Sequence, residues 1–556
     1  MLTFARVFQD GMVLQRDMQV PVWGKSSTEE SVSVFLNGRL VASQTVGPGD
    51  FALLLPPMGA SEDNCLVIGE KAFHHVDVGD VFIASGQSNM NFPLKYDQDG
   101  PGALACADDP HLRMYTVGQY SFPGERAWHY KDHKPWDRWL PFSPETGGDF
   151  SAAALYFARA HRKNGVPVGI LHCSWSGTGI VSWLPDWALG SPVLSSCLEA
   201  YETKIQGLDL NRYWQVKRIA CQLQFHPARE PLMGAYYRTA YPPSRLPQMT
   251  RAADMANLIG KVPIHNPEGL ALSELTQEEL TALGPGDPKT PGALYQTMVT
   301  EIEGYAARGV LWYQGEQDAD HGEKYAQMFS ILLDSWRRAW LKRNPGQTQL
   351  PFFTVQLAPF GTWKNSTGDA FPVVRDQQAV CRRMKDVYMI SSSDVGNVFD
   401  VHPKEKRPLG ERLAWMAEKY LEGKPIPADA PEGCAAHLCG GELRVSFLHG
   451  NGLFIRPADF SGYNGFSLEM IPEFLRPPVL GGVNGLRILA DGAPISQALC
   501  RTEGNQLIVS APGIEKAHTL RLEFAQTAFY QVNLYNGAGL PALPFSIQVE
   551  TESSIG

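Results

Sequence analysis

The spacing of apolar residues divides the chain into three zones with different predicted structures. Residues 1–75 read as short strands of alternating apolar and polar residues separated by Gly, Pro and Asp, a pattern typical of a small β-sandwich-like domain. Residues 76–425 alternate apolar runs with helical periodicities, which predicts a parallel sheet covered by helices on both faces. Short strands return over residues 426–556, which predicts a second β-rich domain.

The central zone contains five apolar runs that we predict to be strands. They cover residues 80–84, 166–173, 309–313, 351–357 and 387–391. Helices are predicted over 150–164 and 405–422, and an apolar stripe at three- and four-residue spacing predicts another between Tyr325 and Trp340. Residues 208–290 are rich in Pro, Gly and charge, and we expect an irregular, partly helical insertion over one end of the sheet.

Length, composition and charge narrow the class of protein. The chain has 556 residues, too many for one core, and a net charge of −10 at pH 7. No basic, aromatic-rich segment suggests nucleic-acid binding, and no apolar run is long enough to span a bilayer.

The nine cysteines are scattered, so we expect reduced thiols and no metal site. No secretory signal is visible, so we expect a cytoplasmic protein, or a secreted one whose signal has been removed.

The most informative stretch is Gly86-Gln87-Ser88-Asn89-Met90, which follows the apolar run at 81–84. A tight turn after a buried strand suits a nucleophilic serine, because glycine relaxes the turn and the strand beneath it is rigid. A polar turn without any catalytic role has the same local pattern. The distinction therefore depends on residues elsewhere in the chain.

A serine nucleophile needs a base, and histidine is the first candidate. Of the 14 histidines, His402 lies in an Asp-Val-His-Pro stretch after the last predicted strand, on the rim where open α/β sheets bind ligands. Gly177 and Gln314 follow the second and third strands at the same rim. With the Ser88 N–H they are candidate donors to a developing oxyanion. Taken singly, each is also explained as an ordinary loop histidine, turn glycine or strand-end amide.

Together these motifs resemble those of the sialate O-acetylesterases, a group of SGNH hydrolases related to acetylxylan esterases. The likeness extends over nearly the whole chain. Its motifs are Ser85-Gly-Gln-Ser-Asn-Met90, Ser174-Trp-Ser-Gly-Thr178 with Trp183, Trp312-Tyr-Gln-Gly-Glu316, Asp400-Val-His-Pro403, Met12-Val-Leu-Gln-Arg16, and Asn533-Leu-Tyr-Asn536 with Gly539-Leu-Pro-Ala542.

The resemblance implies a flavodoxin-like three-layer α/β/α SGNH hydrolase domain over 76–425, flanked by the two β-rich domains. It implies a cofactor-free serine esterase that removes O-acetyl groups from sialic acids. Ser88 would be the nucleophile and His402 the general acid/base. The oxyanion hole would consist of the Ser88 N–H, Gly177 and Gln314.

The implied partner is an O-acetylated sugar, with no nucleic acid or membrane, and the oligomeric state is left open. Three residues of these motifs are candidate substrate contacts: Gln87, Trp175 and Trp183. The tryptophans could stack on sugar faces, although packing in the strand core explains them equally well.

The main departure from the family pattern concerns the acid that would support His402. That acid usually stands three residues before the histidine, where this chain has Phe399. Asp400 is the first candidate in its place, Glu316 is the alternative, and a Ser–His dyad without an acid is also open. The motifs around Gly177 and after Glu316 depart as well, at positions that bear on the acyl-sugar pocket.

Two other functions are compatible with the sequence. One is an acetylxylan or other carbohydrate acetylesterase that uses the same chemistry on a different sugar. The other is a catalytically inactive glycan-binding protein, which the presence of both Ser88 and His402 disfavours. A lipase is disfavoured because no long apolar lid is visible.

Overall fold

The chain divides into two compact units. The computed structural model describes residues 2–129, 134–163, 165–238, 251, 253–361, 370–396, 400–457, 479–526 and 531–549. The first unit consists of residues 1–238, 248–317 and 326–352, and the second of residues 239–247, 318–325 and 353–556.

A mainly parallel sheet forms the centre of the first unit. The long strand Lys71–Gly86 lies between Val168–Ser174 and Gly309–Tyr313, and it is parallel to both. Asp109–Thr116 follows beside Val168–Ser174, and Trp139–Phe142 pairs antiparallel with it at the edge. The predicted strands at 80–84, 166–173 and 309–313 are thereby confirmed. The apolar pattern did not predict the two outer strands. Charged and polar residues interrupt Asp109–Thr116, and Trp139–Phe142 is only four residues long and contains a proline.

The long strand also belongs to the N-terminal β region, so it crosses the position between residues 75 and 76. Its first half pairs antiparallel with Ser61–Ile68, and residues 77–79 pair with Val13–Gln15. The remaining N-terminal strands are Leu2–Phe4, Val20–Ser26, Glu30–Leu36, Arg39–Val46 and Gly49–Leu55. Leu2–Phe4, Val20–Ser26 and Gly49–Leu55 form a separate three-stranded sheet.

Two predicted helices pack against this sheet through aromatic side chains. Ala152–Arg162 begins at Ser151, whose hydroxyl caps it, and Phe157 meets Phe82 of the long strand at 4.7 Å between ring centroids. In helix Tyr325–Arg343, Trp336 lies 5.9 Å from Trp312. The apolar stripe predicted for the latter helix is therefore a core-facing surface.

The insertion at 208–290 is partly helical, as predicted, and has a small apolar core. Its longer helices are Leu210–Gln224 and Glu230–Arg238, with a short third helix at Gln277–Leu280. The core consists of Val216, Ile219, Ala220, Leu223, Met255, Leu258, Leu275 and Leu280. Other helices of the first unit are Ser88–Asn91, Gly100–Ala105, Asp186–Leu189, Ser195–Ile205 and Thr300–Ile302. No helix in the described ranges has both the length and the apolar character needed to cross a membrane.

The second unit combines α/β elements with a β-rich C-terminal region. Strand Phe352–Val355, from its second residue on, lies beside Val387–Ile390, and the helices are Phe371–Cys381 and Arg407–Glu422. One C-terminal sheet contains Glu432–Cys439, Glu442–Leu448, Gln506–Ser510 and Leu499–Glu503. The other contains Ala493–Pro494, Leu486–Ala490, Leu520–Phe524 and Phe545–Gln548. Their inner faces share one hydrophobic core. Two-stranded pairs are Phe454–Ile455 with Leu534–Tyr535 and Val479–Leu480 with Val483–Asn484.

A buried carboxylate on the long strand joins three other segments of the first unit. Asp80 is 1% exposed and accepts hydrogen bonds from Arg16 Nε at 2.8 Å and Arg308 Nη1 at 3.0 Å, while His161 Nε2 lies 2.8 Å from it. Burial alone would raise the pKa of Asp80. The hydrogen bonds from His161 and Arg16 and the charge of Arg308 outweigh burial and hold this pKa well below its usual range.

The Met12–Arg16 motif therefore has a structural role in this unit. Besides the Arg16 contact, Gln15 Oε1 accepts the backbone N–H of Val81 at 2.7 Å. The motif thus holds the long strand at two successive positions, Asp80 and Val81, just before the strand runs toward Ser88.

We expect Asp80→Asn to lower the free energy of unfolding by about 3–5 kcal/mol, because two arginines would then surround a neutral group. Urea denaturation at pH 7 measures this loss. The folded-state pKa of Asp80 is depressed, so its stabilising contribution is present above the ordinary carboxyl value of 3.8 and is lost as the pH falls below it. The difference between wild type and variant should therefore shrink on acidification.

The matched control is Asp50→Asn, an exposed aspartate whose closest approach to Lys25 is 3.9 Å. We expect this change to alter stability by no more than about 0.5 kcal/mol. Equal losses for the two variants, or a loss at Asp80 that does not change with pH, would contradict the role given to Asp80.

Candidate active site

Three parallel strands of the first unit end at one level, and candidate residues follow each of them. Gly86 of the long strand lies opposite Ser174 on one neighbouring strand and opposite Tyr313 on the other. The residues predicted to act on the substrate follow these positions by one to three places: Ser88, Gly177 and Gln314. The carboxyl ends of parallel strands are where α/β sheets bind ligands.

The turn that carries Ser88 requires glycine at position 86. Gly86 has φ +132°, and a Cβ there would lie 2.2 Å from the Tyr313 carbonyl oxygen. That carbonyl accepts the Gln87 N–H at 3.0 Å, and the Gly86 carbonyl accepts the Trp175 N–H at 3.2 Å. The backbones of the three strands thus approach too closely for a side chain. Ser88 follows as the first residue of helix Ser88–Asn91 and is 7% exposed.

Gln87 holds the loop after the third strand. Its side-chain oxygen accepts hydrogen bonds from Gln317 N–H at 3.1 Å, Gly315 N–H at 3.4 Å and Gln314 Nε2 at 3.3 Å. Gln87 is 3% exposed. These contacts account for a glutamine at this position without a substrate, whereas the sequence led us to expect a substrate contact.

The two other oxyanion candidates adjoin one another. The fully buried Gln314 places Nε2 3.3 Å from the Thr178 carbonyl oxygen, at the residue after Gly177. Gly177 adopts φ +74° in a turn, and no atom lies within 4 Å of the position that a Cβ would occupy. The local backbone of Gly177 is therefore left-handed and uncrowded, which favours glycine there.

Asn89, the residue after the serine, is bonded to the alternative acid. The buried Asn89 donates from Nδ2 to Glu316 Oε1. Glu316 therefore holds the serine turn directly. No role for Asn89 follows from the sequence, although it belongs to the Gln-Ser-Asn motif.

The two candidate tryptophans occupy different environments. Trp183 is fully buried, donates from Nε1 to Thr178 Oγ1 at 3.1 Å and meets Trp312 edge-on at 6.5 Å. The structure thus places Trp183 in the core, where protein atoms occupy the surface expected to stack on a sugar. Trp175, by contrast, lines a cavity.

This cavity has a volume of about 340 Å³ and lies beside the serine turn. Asn91, three residues after Ser88, donates from Nδ2 to Ser176 Oγ at 3.2 Å, and both residues line it. Gln119 Nε2 lies 3.2 Å from Asn91 Oδ1 and forms another part of the wall. The insertion supplies another part of the lining: Gln224, Phe225, His226, Arg229, Glu230, Met233 and Tyr237.

In the second unit, His402 lies between strand Val387–Ile390 and helix Arg407–Glu422. It is 6% exposed. Burial lowers the pKa of His402 well below the ordinary histidine value of 6.5, and the charges of Lys404 and Lys406 lower it further. The imidazole is therefore neutral at pH 7, the form that can accept a proton.

Asp400, the first candidate acid, contacts the loop that contains His402. Its Oδ1 accepts the backbone N–H of His402 at 2.9 Å, and its Oδ2 pairs with Lys404 Nζ at 2.7 Å. These contacts orient the peptide of His402. Phe399, which occupies the usual position of the acid, lies outside the described residues. The choice between Asp400 and Glu316 stays a prediction.

One buried cluster of the first unit has the residue types of a metal site. Glu125 Oε1 lies 3.0 Å from His129 Nε2 and 3.3 Å from Cys221 Sγ. Burial raises the pKa of Cys221 well above the ordinary thiol value, so the thiol stays protonated and can donate to Glu125. Lys217 supplies a further positive charge near this carboxylate. Hydrogen bonding and charge balance are therefore sufficient to explain the cluster.

Comparison with known proteins finds similarity to carbohydrate esterases. The family model described as carbohydrate esterase, sialic acid-specific acetylesterase, matches residues 208–420. A sialate O-acetylesterase from Rattus norvegicus is 23% identical over 459 residues, which cover 76% of this chain and 74% of the rat protein. One from Mus musculus is 31% identical over 150 residues, 25% of this chain and 28% of the mouse protein.

A solved structure is similar over nearly the full length. It is a carbohydrate acetylesterase from Xanthomonas citri, 25% identical, with a TM-score of 0.68 and coverage of 98% of this chain and 99% of that chain. The three comparisons thus agree that the chain resembles sialate O-acetylesterases and related carbohydrate acetylesterases. They confirm the predicted enzyme class, a carboxylic ester hydrolase. The mixed α/β sheets and β-rich regions agree with that resemblance, and the three-layer arrangement stays a prediction.

We expect Gly86→Ala to remove most of the esterase activity and to cost about 3 kcal/mol or more of unfolding free energy. The new methyl group must displace the Tyr313 carbonyl, which moves the serine turn, and the backbone must also hold an unfavourable φ. Hydrolysis of p-nitrophenyl acetate and urea denaturation measure the two effects.

The matched control is Gly49→Ala, because Gly49 has φ +103° but no atom within 4 Å of a new Cβ. This variant bears only the backbone strain, about 1 kcal/mol, and should keep full activity. If both variants lose the same free energy of unfolding and Gly86→Ala stays active, the close contact between Gly86 and the Tyr313 carbonyl does not determine the position of the serine turn.

Proposed function

We propose that the protein is a serine esterase that removes O-acetyl groups from sialic acids, with Ser88 as the nucleophile and His402 as the general acid/base. One observation carries the proposal: three neighbouring parallel strands end opposite one another in the sheet. The residues that follow these strand ends include Ser88, Gly177 and Gln314. A nucleophile on one strand end and polar donors on its neighbours are what acyl transfer requires.

In the proposed reaction, His402 accepts the Ser88 hydroxyl proton while Ser88 Oγ attacks the acetyl carbonyl carbon. The resulting oxyanion accepts hydrogen bonds from the Ser88 N–H, the Gly177 N–H and the Gln314 amide. Collapse of this intermediate breaks the bond to the sugar oxygen, which takes the proton from His402. Water, deprotonated by His402, then attacks the acetyl-serine, and the products are acetate and regenerated Ser88.

The ionisation of His402 is consistent with its role as the base. Its lowered pKa leaves the imidazole uncharged at neutral pH, so it is available to accept the serine proton. We propose Asp400 as the acid that supports the imidazolium once it forms. Glu316 is the alternative, although its hydrogen bond from Asn89 gives it a separate function in the serine turn.

A second candidate function is deacetylation of a neutral carbohydrate such as acetylated xylan. The observation in its favour is the full-length similarity to a solved protein described as a carbohydrate acetylesterase. A substrate panel of O-acetylated sialic acid and acetylated xylan separates the two functions, since the chemistry at Ser88 is the same in both.

We expect Ser88→Ala to lower kcat for acetate release by about 10⁶-fold, because no other group forms the acyl-enzyme. O-acetylated sialic acid and p-nitrophenyl acetate are the two substrates. The melting temperature should change little, since only a hydroxyl is removed. Ser31→Ala, at an exposed strand position, is the control that should keep full activity. Persistent acetate release by Ser88→Ala would exclude Ser88 as nucleophile.

Replacing each candidate acid by its amide identifies the partner of His402. We expect Asp400→Asn to lower kcat by about 10⁴-fold, the loss typical when the acid of a catalytic triad becomes an amide. Glu316→Gln should cause a smaller loss of kcat. In the proposed mechanism the Glu316 carboxylate accepts a hydrogen bond from Asn89 and does not balance the charge of the His402 imidazolium. A larger loss for Glu316→Gln than for Asp400→Asn would move the acid to Glu316.

A further inference from the structure

The cavity beside the serine turn contains more positive than negative side chains among its lining residues. Lys95 pairs with Asp149 at 2.6 Å and also with Glu230. Lys134 lies 3.9 Å from Asp149 and 3.7 Å from Glu230. These two lysines and two carboxylates balance each other. The remaining cation of the cavity wall, Arg229, has no carboxylate within ion-pair distance among the described residues.

Arg229 is held in place by backbone carbonyls. Its Nε donates to the Ala253 carbonyl oxygen at 3.2 Å, and its Nη1 donates to the Gln224 carbonyl oxygen at 2.9 Å. Burial lowers the pKa of Arg229, and the charges of Tyr237 and Asp254 only partly offset this. A guanidinium has five N–H donors, so donors remain after these two bonds. A fixed arginine with spare donors in a cavity suits a planar carboxylate, which it can bind through two parallel hydrogen bonds.

The rest of the wall suits a sugar ring. Trp175, Trp136 and Phe225 line the cavity, and Phe225 meets Trp136 edge-on at 4.8 Å and Trp175 at 6.2 Å. Aromatic rings of this kind pack against the apolar faces of sugars. The lining also includes Asn91 and Ser176, which are hydrogen-bonded to each other; Asn91 belongs to the serine turn and Ser176 directly precedes Gly177.

We propose that this cavity binds the carboxylate of an O-acetylated acidic sugar through Arg229, so that the insertion selects acidic over neutral sugars. The inference rests on the proposed function, because the cavity is taken to hold the substrate of Ser88. Arg229 is a specificity-determining residue: it contacts the sugar carboxylate and takes no part in bond making or breaking.

The first test compares two substrates with the unmodified protein. O-acetyl-N-acetylneuraminic acid and its methyl ester differ only in the charge of the carboxyl group. We expect kcat/KM for the free acid to exceed that for the methyl ester by about 10- to 100-fold, which corresponds to a charged hydrogen bond to arginine. This comparison requires no variant, so a folding defect cannot obscure it.

The second test is Arg229→Gln, read as the ratio of kcat/KM for the free acid to that for the methyl ester. This ratio should fall to about 1. Arg229→Lys should give an intermediate ratio, because lysine keeps the charge but not the paired hydrogen bonds. The matched control is Arg212→Gln, since Arg212 lies in the same insertion and pairs with Glu279 at 2.8 Å. Its ratio should equal that of the wild type.

The outcomes separate this inference from the proposed function. If the wild type cleaves the acid and its methyl ester equally well, or Arg229→Gln keeps the wild-type ratio, the carboxylate site is refuted while the serine esterase stands. If the wild type releases no acetate from either compound, from acetylated xylan or from p-nitrophenyl acetate, the proposed function itself is refuted.

Discussion

The charge balance around Asp80 is the constraint on which the first unit depends. A carboxylate buried in the middle of a strand is tolerated only when donors surround it, and here they come from an N-terminal motif, a helix and the segment before the next strand. Because strands are stiff, fixing Asp80 also fixes Gly86, six residues further along. The position at which Ser88 leaves the sheet is therefore set by ion pairs at Asp80, eight residues earlier in the chain.

Burial has opposite consequences at two candidate residues, one in each unit. At His402, burial keeps an imidazole neutral so that it can accept a proton. At Arg229, burial leaves a permanent charge poorly solvated, and an anionic ligand would relieve that cost. Under the proposed function, the same physical effect prepares a base at one residue and a recognition element at the other. The balanced lysine–carboxylate pairs on the same wall contribute shape and hydrogen bonding rather than net charge.

Much of the central architecture could be predicted from the sequence, because strands buried on both faces leave continuous apolar runs and turns leave glycine. The position of Ser88 at a strand end follows from that pattern alone. The cavity does not, since its wall comes from residues far apart in sequence, and a lone Arg229 in an irregular insertion leaves no periodic signal. Trp183 is a residue that the sequence motifs did single out, as a possible sugar contact. The motif does not distinguish a tryptophan that stacks on a sugar from one that is buried in the core, because this depends on packing. Asp400 is the first candidate acid from the sequence and Glu316 is the alternative, and the motifs alone do not decide between them.

The long strand also has a consequence for synthesis of the chain. Gln87 and Gln314 are 227 residues apart, yet the hydrogen bond between their side chains helps to define the serine turn. At typical rates of translation, roughly 11–45 s separate the appearance of these two residues at the ribosome. During that interval Ser88 is present without the loop that anchors its turn. If Ser88 is the nucleophile, as proposed, a nascent chain is expected to gain esterase activity only after the surrounding sheet is complete.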